Sequence, residues 1–243
     1  MNVLGDAIRY LNDPANYSGP DGIGHRTVEH LAISGSAIAI GALVALPIGL
    51  WLGHTGRGGT LTVLASNVSR AVPTLALLTI FASISAIGFG NRATVIALAI
   101  FAIPPLLTNT YVGMRDVDPE VKEAARGMGF SPWGLLGRVE VPLAVPLIAA
   151  GLRTAAVQVV ATATLAALVG GGGLGTLIND GFGNQNKPEI FAGGILVALL
   201  ALVTEISLAL LQRAVTPKAA RRSRRRARPV QAADAPEPSV TAS

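Results

Sequence analysis

Few residues in this sequence have the capacity for chemistry, and most of them sit in apolar surroundings. Arg70, Arg153 and Glu205 interrupt long uncharged runs. A charge in hydrocarbon is costly, so such residues face the inside of a helix bundle or pair with one another. Counting helical rise from one end of each run puts both arginines roughly 15 Å deep and Glu205 roughly 9–13 Å deep. Glu205 can therefore pair with either arginine. A permeation path is the sharper reading of these charges. Pro73, Pro104 and Pro105 share it, because each lacks an N–H and frees a backbone carbonyl at mid-depth, as in broken helices that line cavities.

Other chemistry is excluded. The chain has no cysteine, and His25, His30 and His54 do not repeat at i, i+4, so no metal-ligand cluster forms. Each histidine reads as satisfied or solvated. No nucleophile–base couple points to an enzyme. No G-x-x-x-x-G-K-[ST] loop is present, so the chain binds no ATP and is not itself a motor. Gly170, Gly172 and Gly175 formally match G-x-G-x-x-G. A dinucleotide site needs a preceding strand and a crossover unit, whereas an apolar run precedes this match. The glycines read as a flexible turn that lets backbone pack closely.

One polar stretch lies between apolar runs: Asp116 to Pro142, DVDPEVKEAARGMGFSPWGLLGRVEVP. Asp118 is a good N-cap, Pro119 suits the first helical position, and Glu120 favours the positive helix end. Gly127 or Gly129 supplies a left-handed C-terminal residue. Ser131 and Pro132 repeat the start signal, and a second short helix is expected to run to about Val141, before Pro142. Val121, Ala124, Ala125 and Met128 fall on one small, apolar face. A helical hairpin of this kind between two membrane spans is a knob presented to a partner.

The elements that position these residues are apolar runs. Of 243 residues, 51% are apolar and 14% charged, against about 25% charged in soluble domains. Runs at Leu31–Leu52, Thr60–Gly88, Ala93–Met114, Leu143–Val169 and Ile190–Leu211 are each long enough for a bilayer core, which needs about 20 residues. The expectation is an all-α polytopic membrane protein with five spans, Pro73 kinking or breaking the second. Residues 1–26 have no apolar leader core, so no cleaved leader is expected, and Val3, Leu4, Ala7, Ile8 and Leu11 share a face suited to a short interfacial helix. A glycine-rich loop spans 170–189. Residues 216–243 are basic, then Ala/Pro-rich, and read as a disordered tail. Placing the 116–142 loop inside puts Arg57, Arg115, Lys122, Arg126, Arg138 and Arg213 on one side with the seven tail cations, against Arg9, Arg26, Arg92 and Lys187 on the other. The positive-inside rule then puts the N-terminus outside and the C-terminus inside. The tail arginines lack interleaved aromatics, which argues against nucleic acid and leaves a solvated charge run.

Glu123, Ala124, Ala125, three residues, Gly129, nine residues, Val139, Glu140, Val141, Pro142 resembles the EAA loop of ATP-binding-cassette (ABC) importer permeases. The family pattern is E-A-A, three residues, G, nine residues, I, any, L, P, and here valines replace Ile and Leu. PIGLWLGHTGRG near residue 50, RAVPTLALL at 70–78, PPLLTNTYVGM at 104–114 and LRTAAVQVVATATLAALVGGGGLGTLI at 152–178 are similar to the permeases of glycine betaine/choline (osmoprotectant) importers. The resemblance covers residues 1–215. It implies a 27–215 permease domain whose loop, through Glu123, Ala124, Ala125, Gly129, Val139, Val141 and Pro142, docks on a separate ATPase carrying ATP and magnesium. Two ATPase subunits need two such loops, hence a second permease, identical or paralogous. It also implies an external binding protein that docks near the glycine-rich segment and sets substrate choice. A permease for another small solute, such as an amino acid, and an ion-coupled secondary transporter are the rival readings. The second predicts internal repeats and several intramembrane acids, and only Glu205 is seen.

Overall fold

The computed structural model describes residues 3–60, 62, 64 and 72–216, and every regular element among them is helical. In chain order these are α1 (Val3–Asn12), a 3-10 turn (Pro14–Tyr17), α2 (Ile23–Thr55), α3 (Thr74–Ser83), α4 (Asn91–Arg115), α5 (Pro119–Gly127), α6 (Pro132–Leu135), a π turn (Leu136–Glu140), α7 (Val141–Thr162), a 3-10 stretch (Ala163–Val169), α8 (Gly175–Gly183) and α9 (Lys187–Val215). Among the described residues four segments are long and apolar enough to cross a membrane: Ile23–Thr55, Asn91–Arg115, Pro132–Val169 and Lys187–Val215. The described part of the second expected run holds the shorter α3. Arg70 and residues 217–243 lie outside the described residues.

Small residues set the helix packing. In lipid, apolar burial gives little drive between helices, so close approach and dispersion contacts decide which faces meet. A Cβ on Gly41 would lie 2.9 Å from Ala102, one on Gly49 2.8 Å from Thr110, and one on Gly53 would overlap the Met114 side chain. The register climbs in step on both helices, so α2 and α4 run parallel. α7 runs antiparallel to α4, with Gly113 against Ala144 and Leu147, and Gly151 against Asn109 and Pro105. The core between these three helices is built from Ile33, Ala37, Leu98, Ala102, Leu106, Ala155 and Val159. α9 lies against α7 and α8, and α1 packs on α9.

The bundle therefore has two ends. One carries Glu29, Asn91 and the glycine segment 170–174. The other carries His54, Met114 and the polar loop. Because α2 and α4 are parallel, the chain between Thr55 and Asn91 returns from the loop end to the glycine end.

Several expected boundaries shift. α2 begins at Ile23, inside the segment read as an N-terminal arm. The arm does form the amphipathic α1, with Ala7 buried and Leu4 and Ile8 exposed. Burial, with the Glu189 carboxylate beside it, pushes the Tyr10 phenol above its ordinary pKa. The glycine-rich loop is shorter than 170–189. α8 occupies Gly175–Gly183, and α9 starts at Lys187, capped by Asn186. Pro73 breaks the second run rather than kinking it: it is extended, at φ −65° and ψ 124°, and α3 begins after it. Pro104 and Pro105, by contrast, sit inside an unbroken α4.

Candidate functional site

The loop folds as its caps dictate. The Asp118 carboxylate accepts from the Glu120 N–H at 2.9 Å, and the Ser131 hydroxyl accepts from the Gly134 N–H at 3.2 Å. Gly129 adopts φ +85°. Its N–H donates to the Arg126 carbonyl, and the Phe130 N–H donates to the Ala125 carbonyl. These two bonds close a Schellman motif, which ends α5 and reverses the chain. Nothing lies within 4 Å of a Cβ built on Gly129, so backbone conformation, not space, requires glycine there.

Two readings of the loop need correction. The second helix does not stop before Pro142. α6 passes through the π turn directly into α7, with the Val141 N–H bonded to the Leu136 carbonyl. Pro142 cannot donate to the Arg138 carbonyl and its ring crowds that oxygen, and the widened turn relieves both problems. The apolar face of α5 is also split. Val121, Ala124 and Met128 are exposed, whereas Ala125 is buried where α5 folds back on α6 and the π turn. Glu123 and Pro142 are exposed, and Val139 and Val141 are half-buried. The outward apolar surface of the loop is instead Val121, Met128 and Trp133, the last 79% exposed.

Sequence reasoning passed over Glu140, which occupies the unspecified position of the loop pattern. Its side chain is 1% exposed. His54 Nδ1, from the last turn of α2, contacts Oε2, and Lys122 Nζ, from α5, lies 3.4 Å from Oε1. Lys122 also donates to the Met114 carbonyl at the end of α4, at 3.0 Å. The only available signal was the coincidence of one acid, one histidine and one lysine at the same end of three elements.

The glycine end is clamped rather than flexible. The Glu29 carboxylate accepts from the Gly173 N–H at 2.8 Å, Asn91 Nδ2 at 3.0 Å and Arg26 at 3.0 Å. The Gly172 N–H donates to Asn91 Oδ1 at 2.8 Å. Close backbone approach is real here: a Cβ on Gly172 would overlap the Glu29 carboxylate. His30 is buried and satisfied. Its Nδ1 accepts from the Leu174 N–H, and its Nε2 faces the Val160 carbonyl at 2.9 Å, which assigns the proton to Nε2. Among the described residues no group of acids and histidines could hold a metal ion.

Midway between the ends lies a cavity of about 460 Å³. Pro73 and Thr74 form one side, Phe101, Pro104, Pro105, Thr108 and Asn109 of α4 another, and Thr154 and Gln158 of α7 the third. The structure thus brings the three prolines singled out by sequence to one space. Pro104 and Pro105 free the Ile100 and Phe101 carbonyls, while the Pro105 carbonyl accepts from Asn109 Nδ2 at 2.8 Å. The Thr108 hydroxyl is buried without a partner. Among the described residues the lining has no ionisable side chain.

Arg153 and Glu205 lie elsewhere, on the α7–α9 seam. Arg153 Nε is 3.3 Å from Glu205 Oε1, its NH1 donates to Gln212 Oε1 at 3.1 Å, and Gln212 Nε2 donates to the Pro146 carbonyl at 3.0 Å. The ion pair expected from depth is present with Arg153. It does not line the cavity, and its side chains are over one-third exposed.

This architecture, a helical bundle with a capped polar hairpin at one end and a cavity at its middle whose described lining is uncharged, has relatives. The chain is 41% identical over 82% of its length to the carnitine transport permease protein OpuCB of Listeria monocytogenes, covering 90% of that protein. It is 38% identical over 80% of its length to the glycine betaine/carnitine/choline transport system permease protein OpuCB of Bacillus subtilis, covering 88% of it. Its fold is similar to that of the MetNI methionine ABC transporter in inward-facing conformations, with TM-score 0.70, 22% identity, and coverage of 80% of this chain and 96% of that one. Residues 45–221 match the family model described as binding-protein-dependent transport system inner membrane component, and the chain belongs to that family, a multi-pass membrane permease of the ABC importers.

Proposed function

We propose that the chain forms the translocation path for a small quaternary-ammonium osmoprotectant such as glycine betaine, choline, carnitine or proline betaine. The observation that carries this reading is the mid-bundle cavity, whose described lining is uncharged, found in a chain similar to permeases named for carnitine, choline and glycine betaine. Hydroxyls, amides and freed carbonyls can replace part of a solute's hydration. An aromatic cage binds quaternary ammonium tightly, whereas among the described lining residues Phe101 is the one aromatic. A path must release its cargo, so tight selection falls to an external binding protein.

The loop of 116–142 is the docking element for one of two ATP-binding subunits, which hold ATP and magnesium. A second permease, identical or paralogous, presents the other loop. ATPase closure pulls the loops, and the spans rock between inward and outward access. The return of the chain between Thr55 and Asn91 supports a fifth crossing. The cations gathered at the loop end support a cytoplasmic loop and C-terminus, with the N-terminus and glycine end outside. In this reading residues 1–26 are the external segment, 27–215 the permease domain and 216–243 a cytoplasmic tail.

The test is uptake of labelled choline, glycine betaine and carnitine in a host lacking its own importers, with the cognate ATP-binding subunit and binding protein of this proposed importer co-expressed. Uptake driven by ATP and competed by the other two solutes is expected. Amino-acid uptake without betaine uptake would replace this substrate class by the alternative one.

A further inference from the structure

We propose that Glu140 is a positioning residue for energy coupling, a latch through which movement of the loop reaches three membrane helices at once. The proposal rests on the docking reading of the loop given above. Its observation is the geometry of one carboxylate, which ties Lys122 on α5 to His54 at the end of α2. Lys122 is tied in turn to the end of α4 through the Met114 carbonyl. Glu140 itself stands in the π turn that begins α7.

Apart from this cluster, α5 is held by the short connection after α4, by the Schellman turn and by the packing of Ala125 where α5 meets α6 and the π turn. The first two are single-stranded and can pivot. The Lys122–Glu140–His54 line adds a lateral strut. Because Glu140 is buried, water screens the strut little. Lys122 holds Oε1 at ion-pair distance without a hydrogen bond, so this contact can change length as the loop is pulled. Glu140 is seated in a π turn, a feature found mostly as single turns inside α-helices and frequently at functional sites. The outward residues Val121, Met128 and Trp133 take no part in the strut, so docking and coupling are separable.

The test uses the assembled complex of permease, ATPase and loaded binding protein in lipid vesicles. Glu140→Gln keeps the shape and removes the charge. The ATPase is expected to co-purify, while stimulation of ATP hydrolysis by loaded binding protein and uptake per complex both fall by about tenfold, within the usual range for linked sites. Lys122→Met should do the same, and Lys122→Arg should retain coupling. The double variant should be no worse than either single. If Glu140→Gln is not recovered, Lys122→Met decides, because Lys122 lies on the hairpin and not in a span. Wild-type stimulation and uptake per complex in Lys122→Met would overturn the latch, and so would a lower yield with full coupling in the recovered complexes. If the unaltered chain fails to co-purify with the ATPase, the docking reading falls and the latch falls with it.

Discussion

Each end of the bundle is organised by one carboxylate, but the two are used differently. Glu29 at the glycine end receives a backbone N–H, an amide and a guanidinium, and thereby holds the 170–174 segment against the starts of α2 and α4. Among the described residues the Glu140 carboxylate at the loop end meets side chains, from two separate helices. Backbone bonding fixes a segment's path, whereas bonding between long side chains fixes a distance and leaves direction adjustable. The glycine end is thus built to stay and the loop end to transmit.

The sharpest way to break the comparison is to overfill the glycine end. A Cβ on Gly175 would overlap the backbone carbonyl of Thr164. Gly175→Ala should cost about 3 kcal/mol or prevent folding, seen as a fall in the thermal midpoint of the detergent-solubilised protein. A midpoint within a degree of the parent would mean this end yields easily. Next in size, Glu29→Ala strips the Gly173 N–H and the Asn91 amide of their acceptor, leaves Arg26 with Asp21 and should cost about 2 kcal/mol. Hydrogen exchange should quicken at Gly173 and Leu174 while the middle of α4 is unaffected.

At the loop end the expected stability effects are smaller. Gly129→Ala should cost about 1–2 kcal/mol because its φ is positive, and ATPase association should fall as the hairpin loses its aim. Last comes the α7–α9 seam, away from both ends. Glu205→Gln leaves Arg153 without its countercharge inside a span and should lower the yield of folded protein, with Arg153→Gln restoring part of it. A loss unrelieved by the second substitution would mean that Glu205 serves something other than Arg153.

What could be read from sequence followed the reach of the interactions. The caps Asp118 and Ser131 and the left-handed Gly129 act within a few residues, so their types and spacing announced them. The apolar runs announced the long helices, and depth announced an arginine partner for Glu205 without choosing between Arg70 and Arg153. Readings failed where a distant contact decided the outcome. Ala125 belongs to an apolar stripe that reads as outward, yet the fold-back onto α6 buries it. Pro142 reads as a stop, yet a π turn carries the helix past it. Glu140 has partners 86 and 18 residues away, and no local pattern connects them.

That π turn also sets a phase. Holding one residue more than an α-turn, it rotates everything after Glu140 by about 100° relative to the hairpin. The side of α7 that meets α4, through Ala144, Leu147 and Gly151, and the side of α6 that shows Trp133 to solvent therefore keep their bearings through a single inserted residue. Removing one residue between Leu136 and Arg138 would let the turn close to ordinary helix with little change in composition or hydropathy. The span would still be a span, but it would be geared to the hairpin one tooth out of mesh.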